Sequence, residues 1–209
     1  MTVSWSKRRM WATGIISGLL FLLAGTVATF EFGVLWSQWD FPAARFMAMV
    51  LRIPAAHVGA ETVSYASYTK QLDAERKFLA GPAARAQGLP DILTAEFRRQ
   101  TLLRTIRVAA VEQIAREQKL MVTPLDVDRS YGIILDRAGT STTPAEFASF
   151  LEDEFGLNVD DFKTYVVRPA LIEDTLKVQM QKNTNDPNAF DNLLNDRMKE
   201  AVTPLRFSV

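Results

Sequence analysis

No cysteine occurs anywhere in the 209 residues, and histidine occurs once, at His57. The first absence excludes disulfides, thiolate catalysis and cysteine-ligated zinc. The second leaves a Ser-His-Asp arrangement dependent on His57 alone, and no nucleophile elbow accompanies it. No GxGxxG or GxxxxGK[ST] run is present to cradle a phosphate. Surplus positive charge is missing too: 24 Lys and Arg balance 24 Asp and Glu. Binding to nucleic acid through phosphate contacts needs a basic surface, and the totals give none.

Acidic runs offer little metal chemistry. Glu152, Asp153 and Glu154 are consecutive, so on a helix they diverge. Asp160 and Asp161 read better as first-turn acids complementing a helix N-terminus. Arg98, Arg99, Arg104 and Arg107 point several ways around one helix and read as ion-pairing surface. The expectation is a chain with no cofactor, no metal and no catalytic residues.

What is abundant is apolar character, unevenly spread. Met10 to Phe30 runs 21 residues without a charge. As a helix it would measure ~31 Å, matching the hydrocarbon core of a bilayer. Lys7, Arg8 and Arg9 precede it, and no basic residue follows until Arg45. The positive-inside rule then places residues 1–9 in the cytoplasm. All four tryptophans flank the run: Trp5 and Trp11 at one interface, Trp36 and Trp39 at the other. Indole favours that zone because an apolar body carries a polar N–H. A cleaved signal peptide competes, with Thr26-Val27-Ala28 as a faint cleavage site, but the run is longer than a usual signal core. The expectation is an uncleaved transmembrane helix over 10–30, a juxtamembrane segment over 31–56, and an extracytoplasmic helical domain over 57–209. Phe41 to Ile53 is too short to span; Phe46, Met47, Met49, Val50 and Ile53 would either dip into the headgroup layer or pack on the domain.

Beyond that point the chain reads as all-α with one small strand pair. Ser64 caps a predicted helix over 65–80. Gly81-Pro82 and Gly88-Leu89-Pro90 punctuate a loop. Ile92 to about Leu120 is the longest helix. Its two apolar stripes, one through Leu102, Leu103 and Ile106 and one through Phe97, Val108 and Val111, suggest a central helix gripped from opposite sides. Thr123-Pro124-Leu125-Asp126 and Thr143-Pro144-Ala145-Glu146 each give an N-cap, a proline at the first helical position and an acid at the third. Gly156 stops one helix and Asn158 caps the next. Pro169 should kink that helix. Asp186-Pro187 opens the last. Residues 205–209 alternate apolar and polar and are predicted to pair with residues 57–63 as a two-stranded element.

These parts, in this order, resemble the N-terminal chaperone region of the SurA and PpiD group of extracytoplasmic folding factors. The matching features are the Val58-x-x-Glu61 strand leading into Ser64-Tyr65, the run EQKLMVTPLDVD at Glu117 to Asp128, and FASFLEDEFGLNVDDFKTYVVRPALIEDTL at Phe147 to Leu176. The resemblance covers about Pro54 to Met180, and PpiD-like members share the single N-terminal anchor. The first turn departs, carrying Gly59-Ala60 where members usually have Asn-Gly. The residues after Met180 do not carry the parvulin isomerase pattern. The resemblance therefore implies a chaperone-like module without isomerase activity.

Its partners would be unfolded or newly translocated secreted and membrane polypeptides, with the lipid bilayer as tether. A holding surface needs adaptable apolar side chains. Phe147, Phe150, Phe155, Phe162, Tyr165, Met121 and Met180 are the candidates, with core packing as the competing role for the rings. The other reading is a structural or assembly subunit of a membrane-protein complex, for which Gly14, Gly18 and Gly25 would permit close helix approach.

Overall fold

The computed structural model describes residue 33 and residues 41–138 and 143–205. The predicted span 10–30, Trp5, Trp11, Trp36, Trp39, Lys7, Arg8 and Arg9, and the end of the tail, 206–209, lie outside the described residues. Among the described residues no helix is long and apolar enough to cross a membrane.

The described chain is mainly helical with one two-stranded sheet. It opens with α1 (Pro42–Val50), whose Ala44 and Ala48 are buried against the domain. Arg52 then takes a left-handed φ of 52°, and the Ile53 N–H reaches back to the Ala48 carbonyl at 2.9 Å. This closing turn aims Ile53 into the core, where it is 2% exposed. Of the two roles open to residues 41–53, packing on the domain therefore holds for one face of α1. The opposite face remains outward: Phe46 is 59% and Val50 57% exposed.

Strands β1 (Pro54–Val58) and β2 (Glu61–Ser64) form an antiparallel hairpin joined by Gly59 and Ala60. Gly59 has φ +54°, while no positive φ occurs at Ala60, a pattern suited to glycine-first hairpin turns. A Cβ at Gly59 would lie 2.4 Å from Gln113 Nε2, so the position is closed to side chains as well as strained for them.

Among the described residues the predicted pairing of 57–63 with 205–209 is not found: residues 57 and 58 pair with 62 and 61 within the same segment, and residues 206–209 lie outside the described residues. The partner of β1 is β2, because a two-residue turn costs far less closure entropy than bringing in a distant tail. The chain end does reach the other edge of β1, but earlier in sequence. His57 and Val202 exchange backbone hydrogen bonds of 2.8 and 2.9 Å, and Thr203 Oγ1 donates to the Ala55 carbonyl at 2.9 Å. Leu205 is buried in the core and is not part of a strand.

From the hairpin the chain enters α2 (Tyr65–Ala80), capped by Ser64 Oγ accepting from the Ser67 N–H. The expected loop after it contains a short helix, α3 (Pro82–Ala86), because proline suits a first helical position and Ala84 finds a buried site. The long α4 (Ala95–Glu117) starts at Thr94, whose Oγ1 accepts from the Phe97 N–H. It lies at the centre, touching α2, both strands and the last two helices. Of its two apolar stripes, Leu102, Ile106 and Ala110 are buried on one and Val111 and Ala115 on the other.

Three elements follow. These are α5 (Pro124–Ala138), α6 (Pro144–Phe155) and the start of α7 (Val159–Phe162). Thr143 and Glu146 form the expected capping box, and Gly156 ends α6 at φ +66°. Asn158 caps α7 through the Asp161 N–H at 2.8 Å. The kink expected from Pro169 takes the form of a π turn, Lys163–Val167, directly before α8 (Arg168–Thr184). Proline cannot donate to the preceding turn, and a wider turn absorbs the mismatch. The last helix, α9 (Ala189–Lys199), packs on α8 and α4.

Candidate functional site

Residues 124–138 and 143–162 form an arm, in which α6 packs on α2 and α5 on the π turn and α8. Its interior is a chain of aromatic rings. Tyr131 meets Phe147 at 6.0 Å and Phe162 at 6.4 Å between centroids. Phe147 meets Phe162 at 5.7 Å and Phe150 at 6.2 Å, and Phe150 meets Phe155 at 5.9 Å. Phe155 then stacks on Phe78 of α2 at 5.5 Å with planes 7° apart. Edge-on and offset contacts of this kind add to area burial. None of the five predicted candidate rings is fully buried, and Phe150 is 50% exposed. They are neither a sealed core nor a free surface, but a packed ridge with one edge in solvent.

Where the ridge meets α2, two clefts open on either side of Phe155 and Leu157. The first holds about 470 Å³ between α2, α4 and the π turn. Ala74, Phe78, Val108, Phe155, Tyr165 and Val166 supply its apolar walls. The π turn matters here, since it delivers Tyr165 and Val166 to this wall and Lys163 and Thr164 to a separate depression beside α5. The second cleft holds about 800 Å³ between α1, α2 and the Phe155–Leu157 corner, with Phe46 and Met49 on its outer side. Both clefts share Lys70, Ala74, Phe155 and Leu157.

Most of the charged groups at the rims are paired, Lys77 meeting only a backbone carbonyl. Lys70 Nζ meets Asp161 Oδ1 at 2.6 Å, tying α2 to α7. Arg104 meets Glu75 at 2.5 Å, and Arg107 meets Glu173 at 2.7 Å. Arg45 forks onto Asp73, which also accepts from Arg76 at 2.7 Å. Burial pushes the Glu173 carboxyl up, but hydrogen bonds from Arg107 and Lys177 outweigh it and hold the group below its ordinary range. The ion-pairing reading of Arg104 and Arg107 is thereby met. Lys77 Nζ also donates to the Glu152 carbonyl, a second tie between arm and body.

Of the predicted residues, Phe147, Phe150, Phe155 and Phe162 come together in the ridge, and Tyr165 lines the first cleft. Met121 and Met180 do not join them. Met121 stands 85% exposed on the α4–α5 loop, and Met180 packs against the main core. Tyr131, Phe78 and Leu157 were not anticipated. Phe78 and Tyr131 lie in other elements than the Phe-rich run, so only tertiary contact reveals them, whereas Leu157 lies within the run itself.

His57 is an exposed residue of β1, paired on both sides, its Nδ1 3.2 Å from Thr62 Oγ1. Among the described residues no group of three His, Asp or Glu side chains is placed to hold a metal. No family model matches this chain, and no curated protein or solved structure does either.

Proposed function

We propose that this protein is a membrane-anchored, extracytoplasmic holding chaperone without isomerase activity, which captures unfolded or newly translocated polypeptides along the paired clefts under its arm. The observation that carries the reading is the half-exposed aromatic ridge running into two apolar clefts that share one wall. A holding surface must accept many sequences, so it has to offer area and few directional demands. Apolar walls with rims whose charges are mostly paired meet that requirement, because a client buries surface there with few unpaired ions to match. The uncharged run at 10–30 supplies the tether, which raises local concentration at the membrane without tighter contacts.

The test is aggregation of several unrelated unfolded proteins in the presence of the whole chain in lipid nanodiscs, without nucleotide. Suppression at near-stoichiometric amounts is expected, and it should weaken when Phe150→Ser and Val166→Ser are combined. No suppression at several-fold excess over any client would overturn the reading. Site-specific crosslinking from the first cleft that recovers a single stoichiometric membrane protein would replace it with the assembly-subunit reading.

A further inference from the structure

The outward face of α1 is unusual for a helix on a folded domain. Such a helix ordinarily buries an apolar stripe and turns charge to water. In α1 the inward positions are Ala44 and Ala48, both small and buried. The outward positions are Pro42, Ala43, Phe46, Met49 and Val50, all exposed and none of them polar. The single charged residue within the helix is Arg45, which is engaged by Asp73 of α2. The larger side chains therefore face away from the domain and the smaller ones toward it, the reverse of what core packing rewards. Phe41 continues the same patch at the N-terminal end, 45% exposed. Arg52 stands exposed at the other end.

The position of α1 in the chain says what covers this face. Eleven residues, 31–41, separate it from the uncharged run 10–30. Trp39 precedes the helix by three residues in sequence, and indole is a side chain suited to the headgroup zone. We infer that α1 is an interfacial helix, seating Phe46, Met49 and Val50 at the boundary between headgroups and acyl chains of the anchoring bilayer. This rests on the membrane-anchor part of the proposed function. Phe and Met partition readily at that depth, and Arg52 at the end of the helix is placed to meet lipid phosphate. Ala44, Ala48 and the Arg45–Asp73 pair then act as the fixed joint that sets the domain's tilt on the membrane. The 800 Å³ cleft, which Phe46 and Met49 flank, would open at the bilayer surface.

The absence of cysteine makes the test clean. Single cysteines are placed by Met49→Cys, by Phe46→Cys, by Val178→Cys on the exposed flank of α8, and by Leu20→Cys within the predicted span. Each whole chain is labelled with an environment-sensitive fluorophore and reconstituted in nanodiscs with or without nitroxide-bearing lipids. Positions 46 and 49 should be quenched several-fold more than 178 by shallow nitroxides, and position 20 by deep ones. If 20 is quenched while 46 and 49 match 178, the docking inference falls and the anchor stands. If 46 and 49 are shielded from water yet not quenched, protein covers the face, whether residues 31–40 or a second copy, and the inference again falls. If 46 and 49 are quenched and 20 is not, the face binds lipid but the anchor reading fails.

Discussion

Leu176 and Leu194 in the body are 0% exposed, and they belong to one continuous cluster that includes Tyr65, Ile114, Ile172 and Phe190. The arm contributes no residue to that cluster. Its own fully buried apolar residues are Val127, Leu151 and Leu157, and the rest of its apolar weight is carried by rings with an edge in water. The body thus shares one continuous core, whereas the arm adds only three buried apolar side chains of its own. Local opening free energy follows buried apolar contact, so the two regions should differ in stability within one fold. The proposed client surface lies on the weaker region, which would let it yield to clients of different shape while the body stays intact.

That contrast can be broken by experiment, and the largest effect should come from the body. Phe190→Ala removes a ring that is 2% exposed and should cost about 3–5 kcal/mol, lowering the urea midpoint of the whole chain in detergent without changing the slope. A loss confined to α9 would mean that the body is less cooperative than its packing implies. Gly59→Ala comes next. It forces a side chain into a left-handed φ and against Gln113, and about 1–2 kcal/mol of global stability should be lost.

Phe147→Ala probes the arm directly. It takes away contacts to Tyr131, Phe150 and Phe162, and opening of residues 124–162 should become easier by about 1–2 kcal/mol in hydrogen exchange. Exchange in α4 and α8 should hardly change; an equal loss there would make arm and body a single unit. The smallest effect is acidification. Thr123 lowers the Asp126 carboxyl through its hydroxyl and then its N–H, and Thr143 lowers the Glu146 carboxyl through its N–H and then its hydroxyl. A depressed folded value favours the ionised group in the folded state, so this support is present above the ordinary carboxylate range and fades as pH falls through the folded values. Protection at the starts of α5 and α6 should decline over that window, and Asp126→Asn with Glu146→Gln should flatten the dependence.

Much of the fold was legible because local chemistry dictates it. Ser64, Thr143, Asn158 and Gly156 mark helix ends through bonds to neighbours a few residues away, and those are visible in any sequence. The partner of β1 was not legible from residues 205–209, since strand periodicity names a strand without naming its neighbour. Thr94 was passed over because the apolar pattern begins at Ile92, although its hydroxyl stands three residues before the Phe97 N–H it accepts from. The rings of the ridge were recognisable as a group. Their link to Phe78 and Tyr131 was not, because it depends on how the helices of the arm pack. Met180 shows the converse: a flexible apolar residue is equally suited to a surface and a core, and here α8 turns it inward.

The clasp between His57 and Val202 has a mechanical corollary. The strand that follows α1 is gripped along both edges, by its hairpin partner and by the returning chain end. Tension arriving from the N-terminal side would therefore load two sets of hydrogen bonds together instead of one.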